Sequence, residues 1–261
     1  MSAIDLPPPV PLSDMRALIV GGTSGVGLDT ARQLLKAGVK EVVIVGRDPA
    51  RGQRALSRLS AANVLFQAGD ATSPEGARVI IEEAVRLLGG IDLLVSSTAP
   101  AVLPDLFHRT ASDTIPATLD QLALPPMLLA SAALPHMRAQ RSGVIINIAS
   151  DAGKSATPGE AVIGAAMAAI IMFSRTLAME AKRDGIRVNV LTPSLITGTE
   201  TSERILEGGF SQKLFEKAAS MADLGVAEAE DIASLILYLA SPAARRLTGQ
   251  AISVNGGISA A

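Results

Sequence analysis

Between Ala17 and Val254 the chain repeats one theme: a short apolar, β-branched run, a break at glycine or proline, then a helical segment. The runs are Ala17 to Val20, Val42 to Val45, Val64 to Phe66, Ile91 to Val95, Val144 to Ile148, Val188 to Leu191 and Ala251 to Val254. Uniformly apolar runs of this length are strands buried on both faces rather than strands with a wet side. Helical patterns fill the gaps at Gly25 to Ala37, Pro49 to Leu59, Pro74 to Leu88, Pro126 to Gln140, Gly159 to Lys182 and Ala229 to Leu239. Strands alternating with helices specify an α/β fold, a three-layer, doubly wound parallel sheet of about seven strands. Nothing in the pattern divides the chain, so residues 13–261 read as one domain behind a proline-rich arm, draped or disordered, at residues 1–12. Ser194 to Leu224 is a polar excursion with room for one or two short helices, placed where a lid would sit.

Composition removes several function classes. A formal charge of -2 without a basic patch argues against a nucleic-acid surface. There is no cysteine, hence no disulfide, thiolate nucleophile or thiolate metal site. The first residues lack the basic start and apolar run of a secretory signal. The apolar stretch Ala161 to Phe173 is broken by Ser174 and Arg175 before it reaches spanning length, so a buried helix is expected. A cytoplasmic location is the expectation.

Gly21-Gly22-Thr23-Ser24-Gly25-Val26-Gly27 lies between the first strand and the first helix. Glycines there let the backbone turn sharply and approach a pyrophosphate, while the helix N-terminus offers unpaired N–H groups and a positive dipole end. The same residues also suit a tight turn with no ligand. The second strand ends in Val45-Gly46-Arg47. An acidic residue at that point would bind the adenosine ribose of NAD, whereas an arginine pairs with the 2′-phosphate of NADP. The other reading of Arg47 is a solvated surface side chain.

On these residues the chain resembles the short-chain dehydrogenase/reductase family, whose fold is Rossmann-type, over almost its whole length. Gly21, Gly25 and Gly27 match the family's glycine motif, with Thr23, Ser24 and Val26 between them. Asp70 and Ala71 follow the third strand, where the resemblance implies contact with adenine, and Ser97 falls in the loop after the fourth. Gly143 to Ser150 resembles the strand that delivers a catalytic serine, and Ile186 to Val190 and Val254 to Gly257 match two further family stretches. The resemblance implies a tyrosine acid/base thirteen residues after Ser150 and a lysine four further on; those positions hold Ile163 and Met167. The family's asparagine falls on Leu122. The only tyrosine is Tyr238, expected to be packed in the apolar stretch Ile236 to Leu239. Ser96-Ser97-Thr98-Ala99, Pro193-Ser194 and Gly198, flanked by Thr197 and Thr199, also depart from the family pattern. The adenosine-phosphate half thus matches, and the nicotinamide half is altered throughout.

Ile163 cannot donate a proton and Met167 cannot hold a ribose by charge-assisted bonds, so a reacting end partly filled by side chains is expected. Ser150 remains as the candidate catalytic residue. Lys154 and His108 are candidate substitutes, each more simply a solvated surface group; His136 reads as structural. Asp151 and Glu160 are candidate bases that solvated carboxylates explain equally. Leu103, Leu106, Leu195 and Ile196 suit an apolar pocket wall or core packing alike. The resemblance further implies a homodimer or tetramer, with Gly164, Ala165, Ala168 and Ala169 allowing close helix approach and Gly249 to Gly257 forming a second interface. Three functions stay open. They are an NADP(H)-dependent oxidoreductase with an unusual proton source, a silent partner subunit in a hetero-oligomer or nucleotide-binding module, and a non-redox dehydratase, isomerase or lyase using Ser150 with His108 or Asp151.

Overall fold

The computed structural model describes residues 6–98, 102–199, 202–203 and 209–260. Ala99 of the altered loop and the first five residues of the arm lie outside them. Seven strands form one parallel sheet: β1 (Arg16–Val20), β2 (Glu41–Gly46), β3 (Val64–Ala68), β4 (Leu93–Ser96), β5 (Gly143–Ile148), β6 (Ile186–Pro193) and β9 (Ala251–Val254). A two-stranded ribbon pairs β7 (Ile196–Thr197) with β8 (Ala227–Glu228). The spatial order is β3-β2-β1-β4-β5-β6-β9, so the direction of winding reverses between β1 and β4. The loops leaving those strands diverge there and open a crevice at the carboxyl end of the sheet.

The helices are α1 (Gly25–Lys36), α2 (Pro49–Leu59), α3 (Pro74–Leu88), α4 (Thr114–Gln140), α5 (Ala161–Ala181), α6 (Gly209–Ser220) and α7 (Ala229–Ala240). Alternate residues of β1 feed two cores. Ala17 and Ile19 pack with α1 and α7, while Leu18 and Val20 pack with α3, α4 and α5. This period of two across a sheet covered on both sides accounts for the uniformly apolar strands. Helix starts follow local chemistry. Asp48 Oδ1 accepts from the N–H groups of Ala50 (2.8 Å) and Arg51 (3.3 Å) ahead of Pro49, and Ser73 Oγ accepts from Gly76 (3.1 Å) ahead of Pro74.

Two expectations change here. The helix assigned to start at Pro126 begins at Thr114 and runs through Pro125, Pro126 and Pro135. Each interior proline forfeits a backbone bond, but burial of Leu122, Ala123, Leu129 and Ala130 against the sheet holds the helix together. Tyr238 is not packed: its side chain is 46% exposed, on the outward side of α7 between buried Ile236 and Leu239. The described part of the arm drapes over the amino end of the sheet, where Val10 and Leu12 pack on the core.

Candidate functional site

The crevice is a cleft of about 500 Å³ that runs from the glycine loop to the start of α5. At its head, β1 ends and the chain turns at Gly21, whose φ of +84° favours glycine. A Cβ on Gly21 would overlap the Ser97 carbonyl oxygen, and one on Gly27 would overlap the Gly21 carbonyl oxygen. The absence of side chains brings the β1 and β4 loops and the first turn of α1 into direct backbone contact. Ser24 is the N-cap of α1 but accepts no cap bond, so the first-turn N–H groups remain open to an anion. Thr23, Gly25 and Val26 line the same wall. These features fit the pyrophosphate of a dinucleotide.

The ribose end is cationic. Arg47 lies exposed at the end of β2 and lines the cleft. Arg51, in the first turn of α2, also lines it and donates from Nη2 to Ser24 Oγ at 3.1 Å. The one carboxylate between them, Asp48, is committed to capping α2. Asp70 and Ala71 form the next part of the rim, with Asp70 Oδ1 accepting from the Thr72 N–H at 3.0 Å. The position of Arg51 follows from the helix cap, since an α2 that starts at Pro49 puts Arg51 in its first turn, within reach of Ser24. That signal was present in Asp48-Pro49.

At the far end the cleft meets Ser150, Glu160, Ile163 and Met167. Ser150 Oγ accepts from the Ala152 N–H at 3.2 Å, which leaves its own hydroxyl hydrogen free to donate into the cleft. Ile163 and Met167, at the positions where the resemblance places tyrosine and lysine, face the cleft one turn apart on α5. They wall this end without filling it. Leu122 does not reach the cleft: it is buried, 3% exposed, in an apolar cluster with Ala149, Met167 and Ile170. Its neighbour Gln121 does line the cleft, as does Ser97. Of the apolar candidates, Leu195 and Ile196 contribute to the wall and Leu103 and Leu106 do not. Leu195 packs with Phe215 of α6.

Of the other candidate groups, His108 takes its simpler surface reading, while Asp151 and Lys154 depart from theirs. His108 is exposed on a short 3₁₀ turn and is not part of the cleft wall. Asp151 is no solvated base. It is 5% exposed and accepts from Ser253 Oγ (3.1 Å), Asn255 Nδ2 (2.6 Å) and Ser259 Oγ (2.5 Å). Lys154 is no surface group either. Its side chain, 10% exposed, donates to Ser253 Oγ at 2.5 Å and pairs with Asp151 at 3.7 Å. The carboxylate and the ammonium neutralise one another while tying the loop that follows Ser150 to β9 and the residues beyond it. Ser150 therefore shares the cleft with neither His108 nor Asp151. The register partners Ser96 and Asn147 each keep a buried polar atom, Ser96 Oγ and Asn147 Oδ1, without a partner among the described residues.

Burial pushes the Glu160 carboxyl up to about 7. Glu160 precedes α5, caps none of its N–H groups through its side chain, and sits in the wall beside Ile163 and Met167. Half-buried, it is the one carboxyl lining this end of the cleft whose side chain has no bonding partner among the described residues.

Residues 20–259 match the family model described as Enoyl-(Acyl carrier protein) reductase. The chain is 31% identical over 252 residues to 2,3-dihydroxy-2,3-dihydro-p-cumate dehydrogenase of Pseudomonas putida, covering 95% of both chains. It is 30% identical over 251 residues to acetoacetyl-CoA reductase of Acinetobacter sp., covering 93% of this chain and 96% of the other. Among solved structures, a short-chain type dehydrogenase/reductase from Mycobacterium ulcerans superposes with a TM-score of 0.87 at 26% identity, covering 95% of this chain and 91% of that one.

Proposed function

Because this chain belongs to the short-chain dehydrogenase/reductase family, we propose that it is an oxidoreductase of carbonyl or alcohol substrates that takes its nicotinamide nucleotide as NADP(H). The observation that carries the choice of nucleotide is the pair of guanidinium groups, Arg47 and Arg51, on one rim of the cleft, with Asp48 engaged by its helix cap. Two arginines suit a 2′-phosphate, and an unengaged carboxylate would have suited a free 2′-hydroxyl. The glycine loop, Thr23, Ser24, Val26 and the α1 N-terminus would hold the pyrophosphate, and Asp70, Ala71 and Ser97 would border the adenine and ribose. When bound, the nicotinamide ring supplies or accepts a hydride. Ser150 donates a hydrogen bond to the substrate oxygen and so orients it.

Ile163 and Met167 take the place of the family's tyrosine and lysine in this reading, so proton transfer needs another group and turnover is slow or restricted in substrate. The same two residues favour a second reading, in which the chain binds nucleotide as a silent subunit beside an active relative. The open cleft between Ser150 and Met167 supports the first, because a redundant reacting end has no reason to stay unfilled. The protein works as a homo-oligomer through α5, whose outward face exposes Met172 and Met179. The substrates named for the relatives differ from one another, and only the class of carbonyl or alcohol compounds is carried over.

Calorimetric titration with NADPH, NADH and 2′,5′-ADP tests the assignment. NADPH is expected to bind at least about tenfold more tightly than NADH, a difference of about 1.4 kcal/mol. Arg47→Ala and Arg51→Ala are each expected to remove most of that preference. Equal affinity for NADPH and NADH would sink the NADP reading. Matched affinities for NADPH and 2′,5′-ADP would favour the silent subunit, because the nicotinamide end would then add nothing.

A further inference from the structure

One carboxyl in the cleft has no structural task. Glu160 lies one helical turn before Ile163 and two before Met167, and all three line the cleft with Ser150. No hydrogen bond or ion pair engages its carboxyl among the described residues. The segment around it is held on two sides. The Gly159 carbonyl accepts the Asp105 N–H at 3.0 Å, which pins the loop that follows β4 across it. The Phe210 ring of α6 packs on Gly159 so closely that a Cβ there would not fit.

Of the charged groups on these elements, Lys213 and Lys217 of α6 and His108 are exposed and lie outside the cleft wall, and others are paired. Asp105 pairs with Arg109 at 3.6 Å, Lys154 with Asp151 at 3.7 Å, and Glu216 of α6 accepts from Gln212 at 2.8 Å. Arg47, Asp48, Arg51 and Asp70 belong to the nucleotide rim at the other end, and burial is the only cause of the Glu160 shift. Ile163 and Met167 add no charge to this end of the cleft, whereas a lysine at 167 would draw a nearby carboxyl toward its charged form.

We infer that Glu160 is the proton donor and acceptor at the reacting end of this cleft. The assignment rests on the NADP(H) reading above. In reduction, the carbonyl carbon accepts the hydride and the carbonyl electron pair moves to oxygen. That oxygen takes its proton from the neutral Glu160 carboxyl while the Ser150 hydroxyl donates a hydrogen bond to it. Alcohol, NADP⁺ and the Glu160 carboxylate remain, and water reprotonates the carboxylate. In oxidation, the carboxylate removes the alcohol proton. An acid poised near the working pH suits both directions.

Three measurements on the whole protein and on Glu160→Gln test this. In infrared titration, a neutral-carboxyl signal is expected to disappear as pH rises through about 7 in the wild type and to be missing from the variant; titration in the ordinary glutamate range would overturn the assignment. In calorimetry, a carboxylate beside a nicotinamide cation should raise the ratio of NADP⁺ to NADPH affinity by about tenfold between pH 6 and pH 8 in the wild type only. A ratio that changes equally in both proteins would overturn it. The pH response of 2′,5′-ADP accounts for titration of the 2′-phosphate itself and involves no part of Glu160. Failure of 2′,5′-ADP to bind would thus identify the NADP reading as the fault, and the assignment would fall with it. In single-turnover reduction of 2,3-butanedione by bound NADPH, the variant is expected to be slower by about 10²-fold or more. Equal rates in the two proteins, zero included, would overturn the assignment.

Discussion

Burial, with no charged partner beside it, sets the state of the Glu160 carboxyl, and the consequence reaches stability as well as chemistry. A carboxyl raised by burial to about 7 binds its proton more tightly folded than unfolded. The stability it contributes is therefore fully present below the unfolded value and is lost as pH rises through about 7. Glu160→Gln keeps the neutral shape and cannot ionise. Between pH 5 and pH 8 the variant is expected to gain about 2 kcal/mol on the wild type, measured by urea unfolding at each pH. No relative gain would mean that the carboxyl is hydrated. Sequence alone named Glu160 but could not separate it from Asp151, because both follow β5 in the same loop. What distinguishes them is 108 residues away in sequence, where Ser259 engages Asp151 and leaves Glu160 alone. Arg51 was unmarked for a similar reason: its direction depends on where α2 begins.

At the level of elements, the strands were legible because a sheet covered on both faces demands uniform apolar runs, and each run fell on a strand. The start of α4 was not legible. Prolines 125 and 126 look like a helix start when read locally, and the burial of Leu122 and Ala123 that carries the helix past them is tertiary. α5 shows the complementary case. Its inner face, with Ala166, Met167, Ile170 and Ile171, is buried, while Met172 and Met179 are each 60% exposed on the outer one. By length and composition both α4 and α5 could cross a membrane, but each lays one side against the sheet. A second copy covering the outer side of α5 gives an expected dimer or tetramer by light scattering. Converting Met172 and Met179 together to glutamate is expected to yield monomers with an unchanged far-ultraviolet spectrum. A wild type that is monomeric at tens of micromolar would remove α5 as an interface.

Across the whole molecule, the two ends of the sheet have separate duties. At the amino end, Arg16 of β1 makes a two-pronged pair with Asp92, Nε to Oδ2 and Nη2 to Oδ1 both at 2.8 Å, and also reaches Gln140 of α4 at 3.0 Å. Asp92 is 4% exposed, so removing it strands a charge. Asp92→Ala is expected to cost about 2–3 kcal/mol and roughly 5–10 °C in Tm, with 2′,5′-ADP affinity unchanged because the cleft lies at the carboxyl end. At that end the tie from Asp151 and Lys154 to Ser253, Asn255 and Ser259 joins the Ser150 loop to the last residues described. During synthesis the glycine loop and its strand emerge first and find β2 and β4 early. The Ser150 loop lacks its ties to Ser253, Asn255 and Ser259 until those residues have left the ribosome. A nascent chain can thus form the glycine turn well before the loop that follows Ser150 is tied in place.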